Sequence, residues 1–101
     1  MSTRWITAAF DVRGITPAQK LLLVKLADNA NDDGYCFPSR KYIALHTGLS
    51  KSTISRNLQK LQELGLIEIL PQFQNGVQLP NHYQLTITVG VAQEVGGAQR
   101  S

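Results

Sequence analysis

The chain has 101 residues, with ten lysines and arginines against seven aspartates and glutamates for a formal charge of +3, and 43% of it is hydrophobic. That length supports one domain with a modest core and leaves no room for a separate catalytic or ligand-sensing unit. Cys36 is the single cysteine, which excludes an intramolecular disulfide and suits a reducing compartment, and no apolar run approaches the ~20 residues of a membrane span or the apolar core of a signal peptide. A soluble cytoplasmic protein without membrane contact is expected.

Residues 1–15 form an N-terminal segment expected to pack on the core. Ile6, Ala8, Phe10 and Val12 alternate as a strand does, while Trp5, Ala8 and Ala9 also allow a helical turn, so its type stays open. Trp5 and Phe10 are expected to cover the core. Thr16-Pro17-Ala18-Gln19 is a helix start with threonine at the cap, proline at the first helical position and glutamine three residues on. The helix should run to about Ala30 and bury Leu22, Leu23, Leu26, Ala27 and Ala30, with Lys20, Lys25 and Asp28 in solvent. Leu21 and Val24 widen that stripe, either under the N-terminal segment or at a dimer contact. Asn31-Asp32-Asp33-Gly34 reads as a turn and Tyr35-Cys36-Phe37 as a short strand running into Pro38.

From Ser39 to Gly65 the pattern predicts two helices joined by a tight turn. Ser39 caps the first and Gly48 stops it; Leu49 turns into the corner, and Ser50 caps the second. Ile54, Leu58, Leu61 and Leu64 then fall on one helical face. The opposite face carries Ser52, Ser55, Arg56 and Gln59, with Lys51 and Lys60 at its margins. These are residue types that read base edges: arginine pairs with guanine, glutamine with adenine, and serine with either, while lysine suits phosphate oxygens. Ser39, Arg40, Lys41, Lys51, Thr53 and Lys60 are the candidate phosphate contacts. Between Gly34 and Gln62 lie five basic residues and no acidic one, whereas a surface that is merely solvated mixes the two signs.

After Gly65 the periodicity changes to two. Strands are expected over Leu66–Leu70 and His82–Val89, with Tyr83, Leu85, Ile87 and Val89 on one face and Gln84, Thr86 and Thr88 on the other. Asn75-Gly76 marks a hairpin turn between them, and Gln74, Asn75 and Gln78 are the candidate wing contacts to DNA. The wing has no lysine or arginine, so it adds no long-range attraction. Residues 90–101 are small and polar and are expected to be a flexible tail or a linker.

Ala44, Gly48 and Ile54 stand at the relative spacing of a helix-turn-helix, and the motif in this chain resembles that family, departing from it at Asn57, where an apolar residue is usual. Three helices followed by a hairpin make an α+β winged helix-turn-helix over residues 16–89, a three-helix core with a C-terminal β-hairpin wing. Over residues 5–67 a longer series is present: Trp5, Pro17-Ala18-x-Lys20, Leu26-Ala27-Asp28-Asn29-Ala30, Cys36-Phe37-Pro38-Ser39, Thr47-Gly48-Leu49-Ser50 and Leu64-Gly65-Leu66-Ile67. It resembles the winged-helix domain of phage and plasmid replication initiators and replisome organisers.

That resemblance implies binding to double-stranded DNA at origin repeats, as several copies or a homodimer, with replication proteins recruited through a further C-terminal region. Similar domains also serve in transcriptional repressors, which bind an operator as a dimer, and a protein-interaction role is the remaining alternative. No nucleophile–base pair, carboxylate pair or phosphate-binding glycine loop is present, so no catalytic residue is expected. His46 and His82 are isolated from any cysteine or acidic cluster at metal-ligand spacing, and neither a metal site nor a cofactor is expected.

Overall fold

The computed structural model describes residues 3–90 and 93–95. The elements run α1 (Thr3–Asp11), β1 (Val12–Arg13), α2 (Pro17–Asn29), β2 (Tyr35–Cys36), α3 (Arg40–Thr47), α4 (Lys51–Glu63), β3 (Ile67–Gln74), β4 (Val77–Leu85) and β5 (Gln93–Glu94). Four helices thus stand with an antiparallel sheet of order β2-β4-β3, which is the architecture of a winged helix-turn-helix. The fourth helix comes from the N-terminal segment.

The core lies where the helical stripes meet the sheet. Leu22, Leu23 and Leu26 of α2, Ile43 of α3, Ile54, Leu58 and Leu61 of α4, and Tyr83 and Leu85 of β4 are all buried. Burying each such side chain contributes about 1.5–3 kcal/mol, so the apolar spacing of α2 and α4 determines which faces turn inward. Cys36 is buried among them, as a small apolar residue would be. At α2 the capping box is complete: the Gln19 backbone N–H donates to Thr16 Oγ1 at 3.2 Å, and the Thr16 N–H donates to Gln19 Oε1 at 2.9 Å.

α1 crosses α2 with Ala8 and Ala9 buried at the contact. Trp5 is half-buried, and its indole N–H donates to the Asp32 carbonyl at 3.0 Å, tying α1 to the turn after α2. Phe10 differs from expectation: it is 59% exposed, because the helix turns it away from the face that Ala8 and Ala9 bury. Lys20 and Lys25 also depart from the solvent positions expected of them. The Lys20 ammonium donates to the carbonyls of Phe10, at 2.6 Å, and of Val12, satisfying the end of α1, which has no basic residue in its own last turn. Lys25 pairs with Asp28 at 3.0 Å and lies 4.9 Å from the Tyr42 ring centroid. Val24 packs against the core, whereas Leu21 is 42% exposed.

The wing is longer than the sequence pattern indicates. Asn75 and Gly76, at φ 53° and 79°, form the two-residue connection, and pairing reaches Gln74 and Val77 beside it. Residues 71–74 and 77–81, expected as connecting chain, are strand. Leu70 pairs with His82 but Gln72 with Leu79, a bulge that leaves Pro71 opposite Pro80 and Asn81. Prolines lack the N–H that a regular ladder needs, which places the irregularity there. At the other end β4 stops at Leu85 rather than Val89, since its partner Ile67 is the first residue of β3. The alternation outlasts the ladder: Ile87 is buried while Thr86 and Thr88 are exposed. Within the stretch read as a tail or linker, Gln93 and Glu94 pair in parallel with Val12 and Arg13; residues 91–92 and 96–101 of that stretch lie outside the described residues.

Candidate nucleic-acid interface

The two helices of the motif are started by serines. Ser39 Oγ accepts from the Tyr42 N–H at 3.1 Å and Ser50 Oγ from the Thr53 N–H at 3.2 Å, each satisfying one orphan donor of its helix. Between them Gly48 adopts φ 77°, the left-handed conformation of a helix terminus. A Cβ there would meet no atom within 4 Å, so glycine is required by the backbone rather than by crowding. Thr47 fixes the corner, its hydroxyl donating to the Ile43 carbonyl at 2.7 Å and accepting from the Leu49 N–H at 3.2 Å.

With Ile54, Leu58 and Leu61 buried, α4 presents the opposite face to solvent. Ser52, Arg56 and Gln59 are exposed there, and Ser55 is half-buried at the edge. Ser52 Oγ lies 3.3 Å from Ser50 Oγ, and Thr53, half-buried, accepts from Ser50 Oγ at 2.8 Å, so both take part in the cap as well as lining the surface. Ser39, Arg40, Lys41, Lys51 and Lys60 are exposed. Among the described residues Arg40, Lys41, Lys51 and Arg56 form no ion pair, so their field is directed outward. Lys60 is different, with Glu63 Oε1 at 3.8 Å and both side chains more than half exposed.

Some of the predicted site residues line two separate depressions. Arg40 meets the wing, lining with Gln78, Leu79, Pro80 and Asn81 a depression of about 300 Å³. Gln78 Nε2 donates to Asn81 Oδ1 at 3.4 Å, which holds those amides together. Gln74 and Asn75 stand at the exposed hairpin tip. Arg56, Gln59 and Lys60 line the other, a cleft of about 460 Å³, together with Gln19, Asn57 and Glu63. The sequence pattern missed three members of this cleft. In sequence Gln19 has the signature of a cap alone, Glu63 lies one residue past the acid-free stretch, and Asn57 is distinguished only as a departure from the motif. Its Nδ2 donates to the Thr53 carbonyl at 2.8 Å, so the helix satisfies one end of its amide.

A family model described as a helix-turn-helix domain matches residues 13–67, more than half of the chain. The chain belongs to that helix-turn-helix family. The match begins at β1 and ends as β3 starts, so it spans α2, α3 and α4 and stops before the wing. No curated protein and no solved structure matches the chain significantly. Membership makes this a DNA-binding type of domain, and the exposed face of α4 is the face that a helix-turn-helix lays against bases.

Proposed function

We propose that this helix-turn-helix domain binds double-stranded DNA in a sequence-specific manner, with α4 in the major groove. The observation that carries the reading is the outer face of α4, where Ser52, Arg56 and Gln59 are exposed and Arg56 has no ion-pair partner among the described residues. Arg56 and Gln59 are bidentate base readers, and Ser39, Arg40, Lys41, Lys51, Thr53 and Lys60 position the duplex through its phosphates. Gln74, Asn75 and Gln78 contact the backbone or minor groove as neutral hydrogen-bonding groups. The protein acts by binding, in the cytoplasm, and without catalytic chemistry.

The role we favour is origin or repeat binding in phage or plasmid replication initiation, supported by the order of motifs over residues 5–67. Replication proteins are the partners in that role. A dimeric repressor is the second reading, favoured by the exposed apolar side chains of Phe10 and Leu21, which a second copy would bury.

The test is selection of genomic fragments by the purified protein at two salt concentrations, with Arg56→Ala in parallel. Enrichment of direct repeats that the variant loses supports initiation, and enrichment of a promoter palindrome supports repression. No enrichment and no salt dependence would leave α4 as a solvated helix and defeat the proposal.

A further inference from the structure

We infer that the cleft between the start of α2 and α4 seats a phosphate of the DNA backbone, with the Gln19 side-chain amide as a buried donor. The inference rests on the DNA-binding reading and adds to it a residue of α2, outside the two helices of the motif.

Gln19 is only 8% exposed, yet its amide is half used. Its Oε1 must face the cap, because the Thr16 N–H requires an acceptor and finds it there at 2.9 Å. The amide NH2 is therefore turned away from the cap, and among the described residues nothing accepts from it. A buried donor without a partner is rare in folded proteins and calls for an acceptor. The same side chain lines the α2–α4 cleft, and the rest of that lining is polar too. Asn57 lines it as well, so both helices present polar side chains to this seam.

The charges select the ligand. Arg56 and Lys60 supply two cations against the single carboxylate of Glu63, and the start of α2 adds the partial positive charge of a helix N-terminus. An anion with several acceptor oxygens fits these donors, and a phosphodiester presents two such oxygens on the same molecule whose bases face Arg56. Lys60 is placed to leave Glu63 for it, since their contact is 3.8 Å long and exposed. Free inorganic phosphate shares the chemistry and is the other source of such an anion.

Gln19→Glu tests the site. Glutamate at this position keeps the capping box and suits the helix start, but replaces the free donor with a negative charge. DNA affinity should fall about tenfold, the loss of a charge-assisted hydrogen bond. The fall should be equal on selected and random duplexes, with an unchanged thermal midpoint. Glu63→Gln should act in the opposite direction and tighten binding several-fold.

In the wild-type protein the Gln19 side-chain amide resonance should shift on titration with a short duplex and stay in place with inorganic phosphate. A folded Gln19→Glu variant that binds DNA like the wild type would overturn the proposal. So would an unmoved Gln19 amide in the duplex titration, a measurement that stands even if the variant fails to fold. An amide that answers to inorganic phosphate while DNA affinity ignores both substitutions would also overturn it, in favour of a free anion. Absence of any salt-dependent DNA binding by the wild type is a separate result, which defeats the underlying reading.

Discussion

Arg56 and Lys51 sit on one helix, and the proposed binding mode gives them different tasks. Arg56 is exposed on the outer face, where a guanidinium can meet a guanine edge with two parallel hydrogen bonds, whereas Lys51 is at the first turn of α4, the position we propose for a phosphate contact. Arg56→Ala should cost about 1–3 kcal/mol on the cognate site and relax specificity at one position. Lys51→Ala should weaken cognate and random duplexes alike and reduce the slope of log K against log salt by about one. Titrations of both duplexes at several salt concentrations decide between them, and an equal loss on both sequences for Arg56→Ala would remove it from base reading. Cys36 bears on stability instead. Burial raises its thiol from 9.0 to about 12, so the folded state holds a proton that the unfolded chain releases first. That stabilisation is complete below pH 9 and is lost as pH rises towards 12, at up to about 1.4 kcal/mol per pH unit. Burial raises the Tyr83 hydroxyl in the same direction. Urea midpoints between pH 7 and 11 should therefore fall on the alkaline side, and fall less steeply in Cys36→Ala.

The elements differ in how visible they were in the sequence. α2 and α4 announced themselves because each has a cap, a stop and a stripe at helical spacing, and all five core positions assigned to α2 are buried. The wing beyond Leu70 did not. Phe73 and Val77 are 65% and 62% exposed, so no buried face imposes a period of two on that stretch, and backbone pairing directed by the Asn75-Gly76 turn makes it strand. The candidate site shows the same contrast. The α4 face was legible from spacing, while the Gln19 cleft joins residues from two helices and depends on a tertiary contact that no local pattern carries. The pairing of β1 with β5 was hidden for the same reason. It depends on Gly14, which adopts φ 87° and whose added Cβ would lie 2.2 Å from the Val95 carbonyl oxygen. Gly14→Ala should cost at least about 1–2 kcal/mol from the backbone conformation alone. It should also abolish the exchange protection of the Val95 N–H, which donates to the Arg13 carbonyl at 2.8 Å. Hydrogen exchange read residue by residue checks this, with protection in α4 expected to persist at native level.

At the scale of the whole molecule, affinity arithmetic limits what one copy can do. About three good base contacts at ~1–3 kcal/mol each give roughly 3–9 kcal/mol of discrimination. Selecting one site among ~10⁶ competitors requires about 8 kcal/mol, at 1.4 kcal/mol per factor of ten. A single domain therefore reaches the requirement only at the top of its range, and the wing, which has no lysine or arginine, adds no long-range attraction to close the gap. Repetition of the site closes it without new contacts, because each additional copy multiplies the discrimination. In the initiator reading the copies meet on DNA: the free protein should sediment as a monomer at micromolar concentration, and a fragment with several direct repeats should take up one copy per repeat in successive gel-shifted species. In the repressor reading the copies meet first, so the free protein should sediment as a dimer and shift a palindromic fragment in one step. Sedimentation with and without the selected fragment separates these outcomes, and Phe10→Ser and Leu21→Ser should return the protein to monomers only if those side chains are the dimer contact.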